Sequence, residues 1–273
     1  MFSKILKKIK NNIFYRCIYN LVDHEAIEYA GYLTYLNVLS IFPFIFIVFA
    51  FISIIDETEF GIKLLHFTFE YIPPYVMQTF GKQINEIVTG PPISLMNIAL
   101  IGAIWTASSS IEALKTIFNR IYLVQAKTSY LIGRITSIVQ FMAIVLVIMA
   151  ILIIFVIIPK ILLIFPDIAS YQIFHGQMND IFFKVVLLII VSTIYYALTK
   201  AEITYYSTLP GAFLTVIFWI ISANSLTFYM ANFSQVSIMY GSLASIIMTL
   251  IFLYAMNLIL IFGAEFNRLF SIK

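Results

Sequence analysis

The sequence predicts an all-α, polytopic membrane protein with six transmembrane helices and further amphipathic helices at the membrane surface. Three observations carry this expectation. Of the 273 residues, 62% are hydrophobic and 11% charged. Soluble domains carry about 25% charged residues, so this chain has too few polar groups to cover a water-facing surface. Charge is also absent over whole stretches, the longest being the 62 residues from Ile203 to Ala264. Finally, the cations are lopsided. Twelve of the 16 Lys and Arg residues fall in one alternating set of segments, three fall in the other, and Lys184 stands at a boundary.

Residues 1–28 read as a cytoplasmic amphipathic segment. Phe2, Ile5, Leu6, Ile9, Ile13, Ile18 and Leu21 recur at helical spacing with lysines between them. That pattern suits a helix lying on an anionic inner leaflet. The segment has neither the continuous apolar run of a secretory signal nor the Arg- and Ser-rich bias of a mitochondrial presequence. The first span, about 29–55, is a charge-free run of 27 residues, above the roughly 20 a spanning helix needs. An outer loop follows at 56–90. It is too long for a structureless connection, and EFGIKLLHFTFEYI and YVMQTFGKQINEIV read as short amphipathic helices stopped by Pro73–Pro74 and by Gly90, Pro91 and Pro92.

The second span, about 91–111, ends a 25-residue charge-free run, and the third, about 135–159, is another of 25. The fourth, about 181–199, is weaker. Its charge-free part, Val185 to Thr199, has 15 residues, so Lys184 must snorkel to the membrane surface. The run from Ile203 to Ala264 would measure about 93 Å as one straight helix, three times the roughly 30 Å hydrocarbon core. It therefore folds back as spans 209–231 and 241–264, with NFSQVSIMYG (Asn232 to Gly241) as the turn. The whole chain, 1–273, forms one membrane domain. Six spans put both termini on one side, and the excess of cations on that side makes it the cytoplasm.

Polar residues within the spans define the candidate site. Tyr29, Tyr32, Leu36, Ser40 and Pro43 share a helical face, and Pro43 frees a carbonyl that must find a partner in lipid. This face is expected to turn into the bundle, either as a packed kink or as the wall of a cavity. Gly102, Thr106 and Ser110, like Gly241, Ser245 and Thr249, recur every four residues. Such ladders of small residues predict close helix packing rather than a wide pore. Asn37, Asn97, Gln140, Asn224 and Asn257 add neutral hydrogen-bonding groups. Glu112, Lys115, Arg120 and Glu265 form a cytoplasmic rim. There Glu112 and Lys115 are spaced to pair, and Glu265 is expected to find Lys115, Arg120 or Arg268.

Several chemistries are missing from the pattern. Asp23, His24, Glu25 and Glu28 lack the second His of a helical HExxH zinc site. No nucleophile elbow, phosphate-binding glycine loop or Cys–His pair is present, and the single Cys17 allows no internal disulfide. No catalytic residue, metal ligand, cofactor or nucleic-acid partner is expected, and the chain does not read as an enzyme.

LTYLNVLSIFP (Leu33 to Pro43) resembles the first-span signature of the YihY/BrkB family of bacterial inner-membrane proteins. IWTASSSIEALKTIFNRIY (Ile104 to Tyr122) resembles its second block. Pro210–Gly211, then Tyr229, Asn232, Phe233, Tyr240, Gly241, Ser242 and Leu243, and the closing Gly263, Ala264 and Glu265 follow in the family's order. The resemblance runs from about Glu28 to Asn267. One departure is Leu36, where a second tyrosine often follows Tyr35. The resemblance implies a multi-pass inner (plasma) membrane protein with six spans and cytoplasmic termini. Members have been labelled ribonuclease BN, serum-resistance factors and transporters. The nuclease label conflicts with the absence of a basic groove and of clustered ligands.

The function expected from all this is a transporter- or permease-like protein for a small or amphipathic solute in the lipid bilayer. Its cavity would be lined by Tyr32, Tyr35, Asn37, Ser40, Pro43, Ser108, Asn224, Tyr229, Asn232, Tyr240 and Gly241. The alternative is a non-catalytic envelope scaffold or lipid-handling protein.

Overall fold

The computed structural model describes the backbone of residues 13–55, 97–124, 129–164, 177–232 and 242–271, and the side chains of 13–40, 104–124, 129–148, 150–151, 181, 183–229 and 246–271. Among these residues there are seven α-helices and no strand: α1 Ile13–Asp23, α2 Ala26–Ile55, α3 Asn97–Ile121, α4 Tyr130–Ile164, α5 Gln177–Leu198, α6 Tyr205–Asn232 and α7 Ser242–Ser271. Stretches in three of them, Tyr130–Ile148, Tyr205–Tyr229 and Ile246–Ser271, are long and apolar enough to cross a membrane, and Phe183–Leu198 is a shorter apolar helix. Much of the described surface is apolar, with Ile132, Ile135, Val139, Leu146, Phe213 and Phe228 all exposed. In water that would expose an apolar area beyond what monomers carry; in lipid it is the solvated face. The chain is a helical membrane protein. The outer-loop helices, the first twelve residues and the turn at 233–241 lie outside the described residues.

α7 is the element the others pack around. It touches α6, α2, α1 and α3, while α3 also touches α2, α4 and α5, and α5 touches α6. Lipid offers no hydrophobic drive between helices, so close approach and hydrogen bonds must hold them. Gly211 of α6 and Gly263 of α7 supply the approach. A Cβ on Gly211 would run into the Gly263 carbonyl and the Asn267 amide, and a Cβ on Gly263 would collide with the Thr215 and Tyr195 hydroxyls. Around this contact most polar groups are paired, the buried Asn267 Nδ2 being an exception. The Gly211 N–H donates to Asn267 Oδ1 at 2.6 Å. The Tyr195 hydroxyl donates to the Leu260 carbonyl at 2.7 Å and lies 2.7 Å from Thr215 Oγ1. One tyrosine thus joins α5, α6 and α7.

Elsewhere, Ser192 and Thr208 join α5 to α6 at 2.5 Å, and Trp219 Nε1 donates to the Met256 carbonyl at 2.9 Å. The hydroxyl ladder of α3 meets α2 where Ser110 Oγ lies 3.1 Å from Ser40 Oγ.

Two non-glycine residues adopt left-handed backbone, Glu25 (φ 57°) and Leu123 (φ 56°). Leu123 ends α3: its N–H bonds the Arg120 carbonyl at 3.1 Å, and the next N–H, of Val124, reaches back to the Asn119 carbonyl at 2.8 Å. This is a Schellman closure made without the usual glycine. Glu25 sits at the corner between α1 and α2, where its carbonyl accepts the first bond of α2 from Tyr29 N–H at 3.0 Å. The corner folds α1 back along α7. There Phe14 stacks on Phe262 and Phe266, with ring centroids 6.4 and 5.6 Å away, and Cys17 is fully buried.

The glycine contact has a mechanical consequence. Gly263→Ala places a methyl where two hydroxyls already stand, and such overpacking costs about 1–3 kcal/mol. Thermal unfolding of the detergent-solubilised protein should show a clear fall in Tm for Gly263→Ala. Gly31→Ala, on an exposed position of α2 with open space around it, should leave Tm unchanged or raise it.

Candidate functional site

The polar side chains gather at one end of the bundle, where α3 and α5 finish, α4 begins and the α1–α2 corner meets the end of α7. They form two knots joined by one bridge.

The first knot centres on Glu265, which is fully buried. An isolated buried carboxylate costs several kcal/mol, and three donors surround this one. Asn20 Nδ2 donates to Oε1 at 2.5 Å, Arg268 Nη1 lies 3.3 Å from the same oxygen, and His24 Nδ1 lies 3.1 Å from Oε2. A carboxylate only accepts, so Nδ1 presents its proton to it. Arg268 only donates, so His24 Nε2, 3.5 Å from Nη1, faces it as the bare nitrogen. A neutral imidazole protonated on Nδ1 satisfies both neighbours. Burial pushes the adjacent Cys17 thiol up to about 12, with the Glu265 charge adding and Arg16 opposing. The Tyr122 phenol is pushed up by burial and then by Glu265. Both stay protonated at neutral pH.

The second knot centres on Arg134, in the first turns of α4, which is buried against α3. Its Nη1 donates to Glu112 Oε2 at 2.9 Å, its Nη2 donates to Ser109 Oγ at 3.0 Å and to the Trp105 carbonyl, and its guanidinium carbon lies 4.2 Å over the Trp105 ring. The planar fork of Arg fits this combination of acceptors and ring; an ammonium does not. The Trp105 carbonyl also accepts the Ser108 and Ser109 hydroxyls at 2.8 and 3.2 Å, so the serine triplet serves helix geometry.

Beside this knot opens a cavity of about 440 Å³, with Glu112, Lys115, Arg120 and Lys200 in its wall and Gly133 and Thr136 of α4 opposite. Lys115 Nζ donates to Ser137 Oγ at 3.3 Å. Its pKa is lowered by burial first and by the Lys200 charge second, against a smaller opposing pull from Glu112. Lys200 is held at the rim by its backbone, whose N–H donates to the buried Asn119 Oδ1 at 2.8 Å. Arg120 donates to Glu25 Oε2 at 2.6 Å and stands 5.9 Å over the Tyr29 ring. Both groups are largely exposed. The contact holds the Glu25 carboxyl below its ordinary range, chiefly through that hydrogen bond, and links the two knots.

A second cavity, about 390 Å³, continues along α4 and α5. Its walls are almost wholly apolar, from Gln140 past Ile144 and Val147 to Ile151, with Val186, Ile190 and Ile194 facing them. Gln140 Nε2 donates to the Ala197 carbonyl at 3.1 Å.

The rim residues Glu112, Lys115 and Arg120 are brought to one cavity, but not as the pairs expected. Glu112 takes Arg134 and Lys115 takes Ser137, both partners coming from α4. Of the three cations expected near Glu265, Arg268 is the one it meets. The expected wall of the bundle separates. Asn37 Nδ2 donates to Asn257 Oδ1 at 3.1 Å, and Asn257 in turn donates to Thr34 Oγ1 at 3.2 Å. Ser40 and Ser108 are held in helix-packing bonds. Tyr32 and Tyr35 stand exposed on α2, 51% and 60% accessible, Asn224 is exposed and Tyr229 half-buried. The side chains of Pro43 and Asn232, and the whole of Tyr240 and Gly241, lie outside the described residues. Arg134, Trp105, His24, Asn20 and Lys200 were not anticipated as site residues. Arg134 and Lys200 had a signal, since each borders a charge-free run, but that position also signals topology.

The family profile described as Virulence factor BrkB matches residues 17–273. Among curated proteins, the chain is 27% identical over 253 residues to "Putative ribonuclease-like protein YfkH" of Bacillus subtilis, covering 90% of each chain. It is 24% identical to a UPF0761 membrane protein of Mannheimia succiniciproducens, covering 89% of this chain and 84% of that one. A UPF0761 membrane protein of Psychrobacter is also 24% identical, over 99% of this chain but 51% of that longer protein. No solved structure matches.

The Arg134 knot should behave as a coupled unit. Glu112→Gln leaves a buried guanidinium short of its counter-charge, at a cost on the order of 2 kcal/mol, less than a fully buried pair because Glu112 reaches water. Arg134→Lys should be no milder than Arg134→Leu, since it keeps the charge and loses the fork. Unfolding free energies in a double-mutant cycle should be clearly non-additive, and Trp105 emission should change in both Arg134 variants.

Proposed function

The chain belongs to the Virulence factor BrkB family, and from that membership we propose that it is a non-catalytic, permease-like protein that handles an amphipathic solute in the bacterial inner membrane. In this reading α2 to α7 span the bilayer, and both termini, with the α1–α2 corner, lie in the cytoplasm. One observation supports the reading: a polar, cation-bearing cavity opens at the N-terminal end of α4, followed along the same helix by an apolar groove. A small hydrophilic solute would have no use for the groove, and a purely apolar one none for the cavity.

The exposed apolar residues of α1, Ile18, Tyr19 and Val22, support an interfacial position for that helix, with their side chains in the headgroup boundary. The ribonuclease-like wording belongs to the relative's name. Metal-assisted RNA cleavage requires clustered ligands, and among the described residues there is no group of three or more His, Cys, Asp or Glu side chains placed to hold a metal ion.

Cysteine-accessibility labelling of intact spheroplasts should leave tags at both termini unlabelled until the membrane is permeabilised; labelling of one terminus from outside would refute the six-span arrangement. The full chain in phosphatidylcholine liposomes should move amphipathic fluorescent solutes faster than protein-free liposomes do, and Arg134→Leu, which removes the cavity's anchor, should lower that rate at least fivefold. Tyr35→Ala, on the exposed face of α2, should change it little. Equal rates with and without protein would end the permease reading.

A further inference from the structure

The two cavities share a wall. Gly133 and Thr136 face the cationic cavity, while Gln140, Ile144, Val147 and Ile151 face the apolar groove. At 3.6 residues per turn these positions fall within an arc of about 80° on one side of α4. On the facing helix, Leu198 lines the groove and Lys200, two residues on, lines the cationic cavity. The site therefore changes from charged to apolar within one helical turn and then stays apolar.

Its dimensions fit one class of molecule. From Gln140 to Ile151 the groove runs about 17 Å along the helix, close to the roughly 15 Å of hydrocarbon in a single leaflet. In the headgroup cavity the wall carries Lys115, Arg120 and Lys200 and the carboxylate of Glu112; Arg120 is already paired with Glu25 at 2.6 Å, which leaves the two lysines as the charges facing the cavity. The Glu112 carboxylate already accepts from Arg134 at 2.9 Å. The wall therefore presents net positive charge, and its chemistry selects an anion.

We propose that this face of α4 and α5 holds one anionic glycerophospholipid of the cytoplasmic leaflet, with its phosphate between Lys115 and Lys200 and one acyl chain lying in the groove as far as Ile151. The proposal rests on the amphipathic-solute reading and names the substrate class, but its test needs no transport. Arg134 is a positioning residue here: by occupying Glu112 it keeps the phosphate site free of a competing carboxylate.

The full chain, purified in detergent and stripped of lipid, is exposed to equimolar phosphatidylglycerol and phosphatidylcholine of identical acyl chains, and retained lipid is measured by native mass spectrometry. Wild type should retain phosphatidylglycerol at least fivefold over phosphatidylcholine. Each lysine near an anionic lipid contributes about 1 kcal/mol, about fivefold in affinity, so Lys115→Gln with Lys200→Gln should erase the preference. Val147→Trp, an exposed groove position, should reduce phosphatidylglycerol retention with Lys115 and Lys200 intact. Glycerol 3-phosphate, the headgroup chemistry without a tail, should not be retained. Equal retention of the two lipids by wild type, an unchanged preference in the double lysine variant, or retention of glycerol 3-phosphate alone would each overturn the proposal. If lipid selectivity is found and liposome flux is not, the permease reading fails and the lipid site stands; flux without lipid selectivity gives the converse.

Discussion

A carboxylate removed from water must be surrounded by donors or it destabilises the fold by several kcal/mol, and Glu265 is fully buried. Its donors come from three places in the chain: Asn20 in α1, His24 at the α1–α2 corner and Arg268 one turn further along α7. Gly263 meets Gly211 on α6 just before it, and Asn267 binds the Gly211 N–H just after it. Between Gly263 and Arg268, little more than one turn of α7, the chain fixes the distance to α6, the docking of α1 and the start of α2. Because α2 carries α3 and α3 carries α4, the position of every other described element is set with reference to that turn.

The candidate site lies downstream of this arrangement. The α1–α2 corner places Glu25 where Arg120 can reach it, and Arg120 closes α3 next to the left-handed Leu123 that turns the chain toward α4. Arg134 then crosses back to Glu112, Ser109 and Trp105, and Asn119 holds the backbone of Lys200. Each link is a polar contact between elements; the Arg120–Glu25 link is exposed, whereas Arg134 and Asn119 are buried, where an unpaired group is costly. The same economy explains why so few charges are left over to line the cavity, and why those that remain are mostly positive.

The helical character was legible because lipid imposes it: absence of charge over about 20 residues is a requirement for crossing, and the described helices occupy positions of the charge-free runs, three stretches reaching spanning length and a fourth being shorter. The close packing of α6 on α7 was foreshadowed by the small residues there. The inward faces were harder to read. In α2 almost every side chain is apolar or weakly polar, so no face stands out: of the face grouped by spacing, Leu36 is buried and Tyr29 half-buried against the core, while Tyr32 is exposed. Ala26, Ala30, Leu33 and Leu36 are the buried ones. Rim pairs failed for a different reason. A spacing of three suggests that Glu112 and Lys115 meet, yet the competitor for Glu112 is Arg134, 22 residues away and brought alongside by the turn between α3 and α4. A local rule cannot weigh a partner delivered by tertiary packing. His24 shows the same limit: among Asp23, Glu25 and Glu28 it looks like part of an acidic surface, and it is the buried contact of Glu265.

The polarity of α4 also constrains what motion the site could support. Thr136 and Gln140 give a headgroup polar company over about 6 Å of descent along the helix. Beyond Gln140 the same face offers Ala143, Ile144, Val147 and Ile151. A phosphate carried past Gln140 would exchange lysines for hydrocarbon and bear the full desolvation of its charge. The described face therefore places polar and cationic groups at one end and an uninterrupted apolar surface beyond them. Carrying the head further would require a second polar surface to come against α4, whose neighbours among the described helices are α2, α3 and α5.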